Sequence, residues 1–144
     1  MASIVYNGWK AKNGLDWEDE GETFKVMLVT GSYTPDPDDG VVDDVSPSEN
    51  EIAGGSYARQ TLAGRAITIN TDDNKAEHRA NSVLFEGLTG PAQPRYAIVY
   101  REENDDSDHE LVACIDLGSG LSVTGMFRVR WDDGESGGVV FEAA

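Results

Sequence analysis

The chain has 144 residues, a length that fits one domain with a hydrophobic core of its own. Its formal net charge of −16, from 27 acidic and 11 basic side chains, argues against nucleic acid or an anionic membrane as a partner. Cys114 is the only cysteine, which excludes an intramolecular disulfide and a zinc site of several thiolates. Because 39% of the residues are hydrophobic and lie in short runs, we expect a folded, soluble protein.

Most apolar runs alternate with polar residues at a period of two, which predicts β-strands. In chain order the predicted strands are ETFKVMLVT, RAITIN, SVLFE, RYAIVYR, ELVACIDL, VTGMFRVRW and GGVVFE. The first alternates poorly, which indicates a strand covered on both faces. In RAITIN, Ile67 and Ile69 are predicted to share one face. ELVACIDL reads as a buried strand, so Cys114 is expected to be a small buried residue.

Helices are predicted to be few and short. NGLDWEDEGE is compatible with one acidic turn, and residues 74–82, NKAEHRANS, with a short helix. Turn residues recur at a spacing of roughly ten, the cadence of antiparallel β-proteins. We therefore expect an all-β, single-domain antiparallel β-sandwich or barrel of about eight strands. A long extended loop or arm over residues 31–57 and at most one or two short helices complete this prediction.

The stretch TPDPDDGVVDDV holds five aspartates in twelve residues. An EF-hand loop that begins at Asp36 would have Gly40 and Val41 at positions 5 and 6 and Pro47 at position 12, so the calcium pattern fails. A solvated acidic loop is favoured here and at residues 105–108. An irregular ion site stays open, built from Asp36, Asp38, Asp39 or Asp43.

No catalytic constellation emerges from the sequence. GESGG, residues 134–138, matches the nucleophile-elbow pattern, but no histidine follows it, so a hairpin turn between RVRW and VVFE is predicted instead. His78 and His109 stand in polar segments without a histidine two to four residues away, and we expect both at the surface. The prediction is a protein that is not an enzyme, with no catalytic residue, no metal and no cofactor.

The segment FKVMLVTGSYTPDPDDGVVDDV, followed by NEIAGGSYARQTLAG, resembles a group of small virion structural proteins of tailed bacteriophages. Members carry a strand that ends in T-x-S-Y-T-P-D/N, an acidic DD-V, then NE, a Gly-Gly or Gly-x-Gly, an aromatic residue and TLAG. The similarity to that group extends to the segments RYAIVYRE and LVACIDLG. It also includes the dipeptide Asp16–Trp17, which lies in an acidic stretch before the first long strand. The inserted SPSE and the loop NDDSDHE depart from its pattern.

This resemblance implies a capsid decoration, or cement, protein that binds the outer surface of the major capsid protein lattice and stabilises the head. Such a protein would be made in the bacterial host cytoplasm and would end on the virion surface. A homo-oligomer, with a trimer favoured, is the implied state, and neither nucleic acid nor a membrane is an expected partner. A place in the tail or neck of the particle is the alternative within the same family.

Residues 33–57 are predicted to reach across a subunit boundary, with Tyr33 and Tyr57 as aromatic anchors. The predicted interface residues are Tyr33, Thr34, Pro35, Asp36, Val41, Val42, Val45 and Tyr57. A carbohydrate-binding β-sandwich is a separate hypothesis. It requires Trp9, Trp17 or Tyr100 to face solvent, where a sugar ring could stack on it.

Overall fold

A computed structural model describes residues 3–12, 16–131 and 138–143 of the chain. Within these ranges the protein is all-β, with ten strands in antiparallel pairs and two helices of four residues each. The strands are β1 (Ser3–Val5), β2 (Phe24–Val29), β3 (Gln60–Thr61), β4 (Ala66–Asn70), β5 (Lys75–Ala80), β6 (Val83–Ala92), β7 (Tyr96–Arg101), β8 (Glu110–Asp116), β9 (Val123–Val129) and β10 (Gly138–Ala143). The helices are α1 (Asn7–Lys10) and α2 (Pro47–Asn50), and a 3₁₀ helix spans Val42–Val45. Neither α-helix of the described residues approaches the length needed to cross a membrane.

The strands form three sheets. A five-stranded sheet has the order β1-β8-β7-β2-β3, a three-stranded sheet the order β10-β5-β4, and β6 pairs with β9. The all-β antiparallel class predicted from the sequence is thus confirmed, and the arrangement is compatible with a sandwich-like fold. The strand number exceeds the expected eight. The strands that the sequence pattern does not predict are β1, β3 and β5.

The five-stranded sheet is buried on both faces. Alternate residues of β2 enter two different apolar clusters, Val26 and Leu28 in one, Met27 and Val29 in the other. The first cluster joins this sheet to the two smaller sheets through side chains such as Phe85. This burial confirms the two-sided cover inferred from the weak alternation of β2.

Period-two patterning correctly predicts β9 but only half of β4. Val129 is buried, while Arg128 is exposed, as the alternation requires. In β4, Ile67 packs against the first cluster but Ile69 is 70% exposed. The two isoleucines share a face of the strand, and the end of β4 at Ile69 lies beyond the side chains that cover Ile67.

Two predictions about local structure are wrong. Residues 75–80 of the expected helix form β5, because β4 and β10 pair with it on either side and satisfy its backbone groups. RVRW and VVFE do not form a hairpin, since β9 pairs with β6 and β10 with β5. Residues 134–137 of GESGG, like residues 13–15 of the predicted acidic turn, lie outside the described residues.

Candidate functional site

The 31–57 segment is folded over its own sheet rather than extended as an arm. Tyr33, Val42 and Val45 are 5%, 0% and 0% exposed and pack on the outer face of β2, β7 and β8. That face carries apolar side chains such as Met27 and Ile98, which need a cover, and the segment supplies it. Residues 31–57 are hereafter called the cover segment.

The structure divides the predicted interface residues into two groups. Tyr33, Val42 and Val45 belong to the core and Tyr57 is half-buried, stacked on Phe85 with ring centroids 5.8 Å apart. The remaining four lie at the surface, with two exposed and two partly exposed: Thr34, Asp36, Pro35 and Val41. Side chains already buried in their own core offer no new apolar area to a partner, so the use of the first group as contact residues is not supported.

A hydroxyl chain fixes the start of the cover segment. The Tyr33 hydroxyl donates a hydrogen bond to Asp39 Oδ2 at 2.9 Å, and the Tyr6 hydroxyl lies 2.9 Å from the Tyr33 hydroxyl. Burial raises the pKa of both tyrosines, and burial also raises the pKa of the Asp39 carboxyl. This carboxylate therefore anchors a buried tyrosine.

The other aspartates of the cover segment accept hydrogen bonds from nearby N–H groups. Asp44 Oδ2 accepts from the amides of Gly40 and Val41 at 2.8 and 3.1 Å, and Asp38 Oδ1 accepts from the Asn7 side chain at 2.7 Å. In the ranges that the structure describes, no three or more His, Cys, Asp or Glu side chains converge as a metal site would require. Asp44 thus acts as a local turn residue, and Asp38 links the cover segment to α1.

Arg59 is the centre of the most connected polar cluster. Its Nε and Nη2 donate to the two carboxylate oxygens of Glu51, both at 2.9 Å. Its Nη1 and Nη2 donate to the oxygens of Asp106 at 2.6 and 3.1 Å. Nη1 also reaches the Tyr100 hydroxyl at 3.4 Å, and the guanidinium lies over that ring. All the donors of the guanidinium are therefore engaged by the protein itself.

The neighbours of Arg59 extend this cluster. The Tyr57 hydroxyl donates to Glu51 Oε2 at 2.7 Å and accepts from the Leu28 amide at 3.0 Å. Hydrogen bonds from Arg59 hold the pKa of Asp106 below its usual range. The Arg59 cluster joins the end of the cover segment to the loop that contains Asp106, and every N–H of the guanidinium is used in its contacts.

Both histidines are buried, contrary to the surface positions predicted. His109 is 9% exposed, accepts a hydrogen bond from the Glu103 amide at Nδ1 and stacks on Tyr100. His78 is 3% exposed and stacks on Phe141 with ring centroids 4.2 Å apart. The polar sequence around His78 belongs to a strand whose alternate residues face the core, and His109 is buried in the loop that precedes β8. Sequence inspection of β5 had one usable signal, the alternation of Ala76, His78 and Ala80.

His78 is expected to make the fold sensitive to mild acid. Neither ring nitrogen makes a well-formed hydrogen bond to a described residue, and burial lowers the pKa of His78 to about 4. The backbone of Ala76 and the carboxylate of Glu18 favour the charged form, but more weakly than burial opposes it. The unfolded chain then binds the proton first, so stability is complete above the unfolded pKa and falls with pH below it.

Because of this histidine, the free energy of unfolding should fall by about 2 kcal/mol when the pH is lowered from about 7.5 to about 5. Urea unfolding at both pH values measures the loss, and His78→Phe, which keeps the stacked ring without a titrating group, serves as the control. Over the same pH interval, the free energy of unfolding of His78→Phe should fall by about 2 kcal/mol less than that of the parent. Equal pH dependence in the two proteins would contradict a neutral buried His78.

The rings required by the carbohydrate hypothesis do not face solvent. Trp9, Trp17 and Tyr100 are 2%, 0% and 1% exposed. Trp17 Nε1 is tied to the carbonyl oxygens of Ala66 and Arg79 at 3.1 and 3.2 Å. The prediction that any of these three rings offers a stacking platform is therefore wrong. Cys114 is buried as expected, and burial raises the pKa of its thiol to about 12.

An open cleft of about 400 Å³ lies at one end of the five-stranded sheet. Its lining consists of Thr30, Gly31, Ser32, Gln93, Pro94, Arg95, Gly118, Ser119, Gly120, Leu121 and Ser122. Arg95, the charged residue among them, is held by both carboxylate oxygens of Asp116 at 2.9 and 3.0 Å. Without a carboxylate, histidine or thiol, this lining offers no acid–base pair for catalysis.

Comparison of the chain with protein-family models, curated proteins and solved structures finds no match.

Proposed function

We propose that the chain is a structural protein of a tailed-bacteriophage particle, a decoration protein that binds the outer surface of the capsid lattice and stabilises the head. The observation that carries the proposal is the two-sided burial of the five-stranded sheet, with the cover segment locked on by its own core and by the Arg59 cluster. A sheet clamped in this way is a stiff body, which suits a part that reinforces an assembly. The trimer implied by the family resemblance belongs to the same proposal.

The distribution of polar groups supports a binding role over a catalytic one. The hydrogen bonds of three charged side chains hold loops in place, those of Arg59, Asp39 and Asp44. The net charge of −16 gives the protein a strongly repulsive surface. On the outside of a particle, such a surface keeps neighbouring particles apart in a crowded lysate.

Particles assembled without this chain provide the test. Purified protein is added to separated heads and separated tails, and each mixture is sedimented through a density gradient. We expect the chain to move with the heads and to raise the temperature at which they release DNA. An unrelated protein of similar size and negative charge controls for non-specific trapping. Sedimentation with tails alone would place the chain in the tail or neck, and movement with neither fraction would overturn the proposal.

Point variants at the surface are better suited to this test than deletions. A deletion of residues 36–48 would remove Val42 and Val45 from the core. Loss of binding would then follow from unfolding and would carry no information about contact. Variants of exposed residues keep the core intact, provided that their thermal unfolding matches that of the parent.

A further inference from the structure

The outward face of the β6–β9 sheet, here called the ribbon face, differs in character from the rest of the surface. Residues of β9 alternate, with Phe127 and Val129 directed at the first apolar cluster. The intervening side chains are exposed: Thr124, Met126, Arg128 and Arg130. Met126 is 68% exposed, one of two large hydrophobic side chains of the described residues to be so open. The ribbon face therefore presents Arg128 and the exposed Met126 on β9, and Arg130 follows directly after the strand.

The strand opposite completes this face. Leu84 of β6 is half-buried and stands directly across from Arg128 in the ladder. Glu86 of β6 is exposed and contributes one negative charge. Phe85 and Val129 hold the ribbon to the core beneath, at 0% and 1% exposure. The face is thus firmly positioned, and its described residues carry two positive charges and one negative charge, in a protein with a large acidic excess.

The opposite side of the molecule has the reverse character. The part of the cover segment from Tyr33 to Val45 lies on the other face of the five-stranded sheet, since both of these side chains enter the second apolar cluster. Its end packs on the first cluster through Ile52 and Tyr57. Its exposed charged residues are all acidic: Asp36, Asp38, Asp43, Asp44 and Glu49. The exposed charges of the cover segment are thus all negative, whereas the described charges of the ribbon face are Arg128, Arg130 and Glu86.

We propose that the ribbon face is the surface by which the chain attaches to its particle. The partner is an acidic protein surface with a shallow apolar recess that receives Met126. Charge complementarity selects this orientation, because an acidic partner would repel the cover segment and attract Arg128 and Arg130. A methionine side chain adapts to an irregular recess at small cost. The inference rests on the proposed function and adds which side faces the head; the cover segment then points outward.

Single charge reversals test the ribbon face against a matched control. Arg128→Glu changes the charge of β9, and Lys10→Glu makes the same change at an exposed position in α1, away from the ribbon. Arg128 donates a hydrogen bond to Ser82 Oγ at 3.1 Å, so both variants are first checked for unchanged thermal unfolding. Met126→Asp adds a second probe of the face that does not depend on Arg128.

Binding to heads assembled without the chain is measured by sedimentation over a range of protein concentrations. We expect Arg128→Glu and Met126→Asp each to weaken binding by about tenfold or more, and Lys10→Glu to bind as the parent does. Added salt should weaken the binding of the parent to heads and narrow the difference in affinity between the parent and Arg128→Glu. If the parent binds and both ribbon variants bind equally well, the ribbon face is excluded while the proposed function stands. If the parent itself fails to bind heads, both proposals fall.

Discussion

Arg59→Met is expected to lower the free energy of unfolding by about 3 kcal/mol. The methionine fills most of the same volume but leaves the carboxylates of Glu51 and Asp106 without their shared cation. These side chains are 14% and 33% exposed, so water compensates Asp106 more than it compensates Glu51. The Tyr57 hydroxyl would still donate to Glu51, which limits the loss. Urea unfolding near neutral pH, read by tryptophan fluorescence, measures the effect.

Arg95→Met is the matched control for Arg59. Arg95 also forms a two-oxygen pair with one carboxylate, that of Asp116, but the two side chains are 33% and 31% exposed and no second carboxylate joins them. Its loss should cost below about 1 kcal/mol, as exposed ion pairs usually do. Equal losses for the two variants would show that the Arg59 cluster does not fasten the cover segment.

Gly87→Ala is expected to cost about 3 kcal/mol. Gly87 has φ of +67°, a conformation that a side chain disfavours, and a Cβ built on it would lie 2.5 Å from the Cβ of Ser56. The backbone there is also fixed, because the Ser56 amide donates to the Gly87 carbonyl oxygen at 2.9 Å. This close approach joins the cover segment to β6, so the backbone must shift to admit the methyl group.

Two further variants separate backbone strain from steric overlap. Gly125 of β9 has φ of +87° with nothing within 4 Å of a built Cβ, so Gly125→Ala should show only the strain, about 1–2 kcal/mol. Combining Gly87→Ala with Ser56→Gly removes the methylene that the new methyl meets and should recover the steric part of the loss. Thermal unfolding of the three proteins measures this. No difference between Gly87→Ala and Gly125→Ala would mean that the contact at Ser56 is not tight.

Features that depend on local alternation could be predicted from the sequence. β9 shows this well, since Phe127 and Val129 turn inward and Arg128 outward as the pattern requires. β2 was correctly predicted to be covered on both faces, because a strand without clear alternation has no face to give to solvent. What the pattern could not give was the identity of the cover, which comes from residues that follow β2 along the chain.

Features that depend on distant residues escaped prediction. The Arg59 cluster brings together Glu51, Arg59, Tyr100 and Asp106, whose separations in sequence reach 47 residues for a single hydrogen bond. The spacing of these residues along the chain does not predict such a contact. The β5 strand was missed for a related reason, since its pairing with β4 and β10 outweighs the weak helical preference of its own residues. His78 was misplaced with it.

The cover segment shows how one motif supports two different structures. Prolines and aspartates in TPDPDD predicted an extended, solvated arm, and the exposed Asp36 and Asp38 agree with the solvated part. Val42 and Val45, three residues apart in a 3₁₀ helix, place both side chains on the sheet instead. The three-residue spacing of the two valines is visible in the sequence. It indicates burial only together with the apolar outer face of the sheet, which no local pattern reveals.

A cryo-electron-microscopy map of the assembled particle tests the central claim most directly, that this chain is a rigid part of the head attached by its ribbon face. We expect density for the domain on the outer capsid surface, with Met126 and Arg128 against the shell and the acidic cover segment directed at solvent. Density with the cover segment against the shell would contradict the orientation. A head that carries no density for the chain would contradict the function itself.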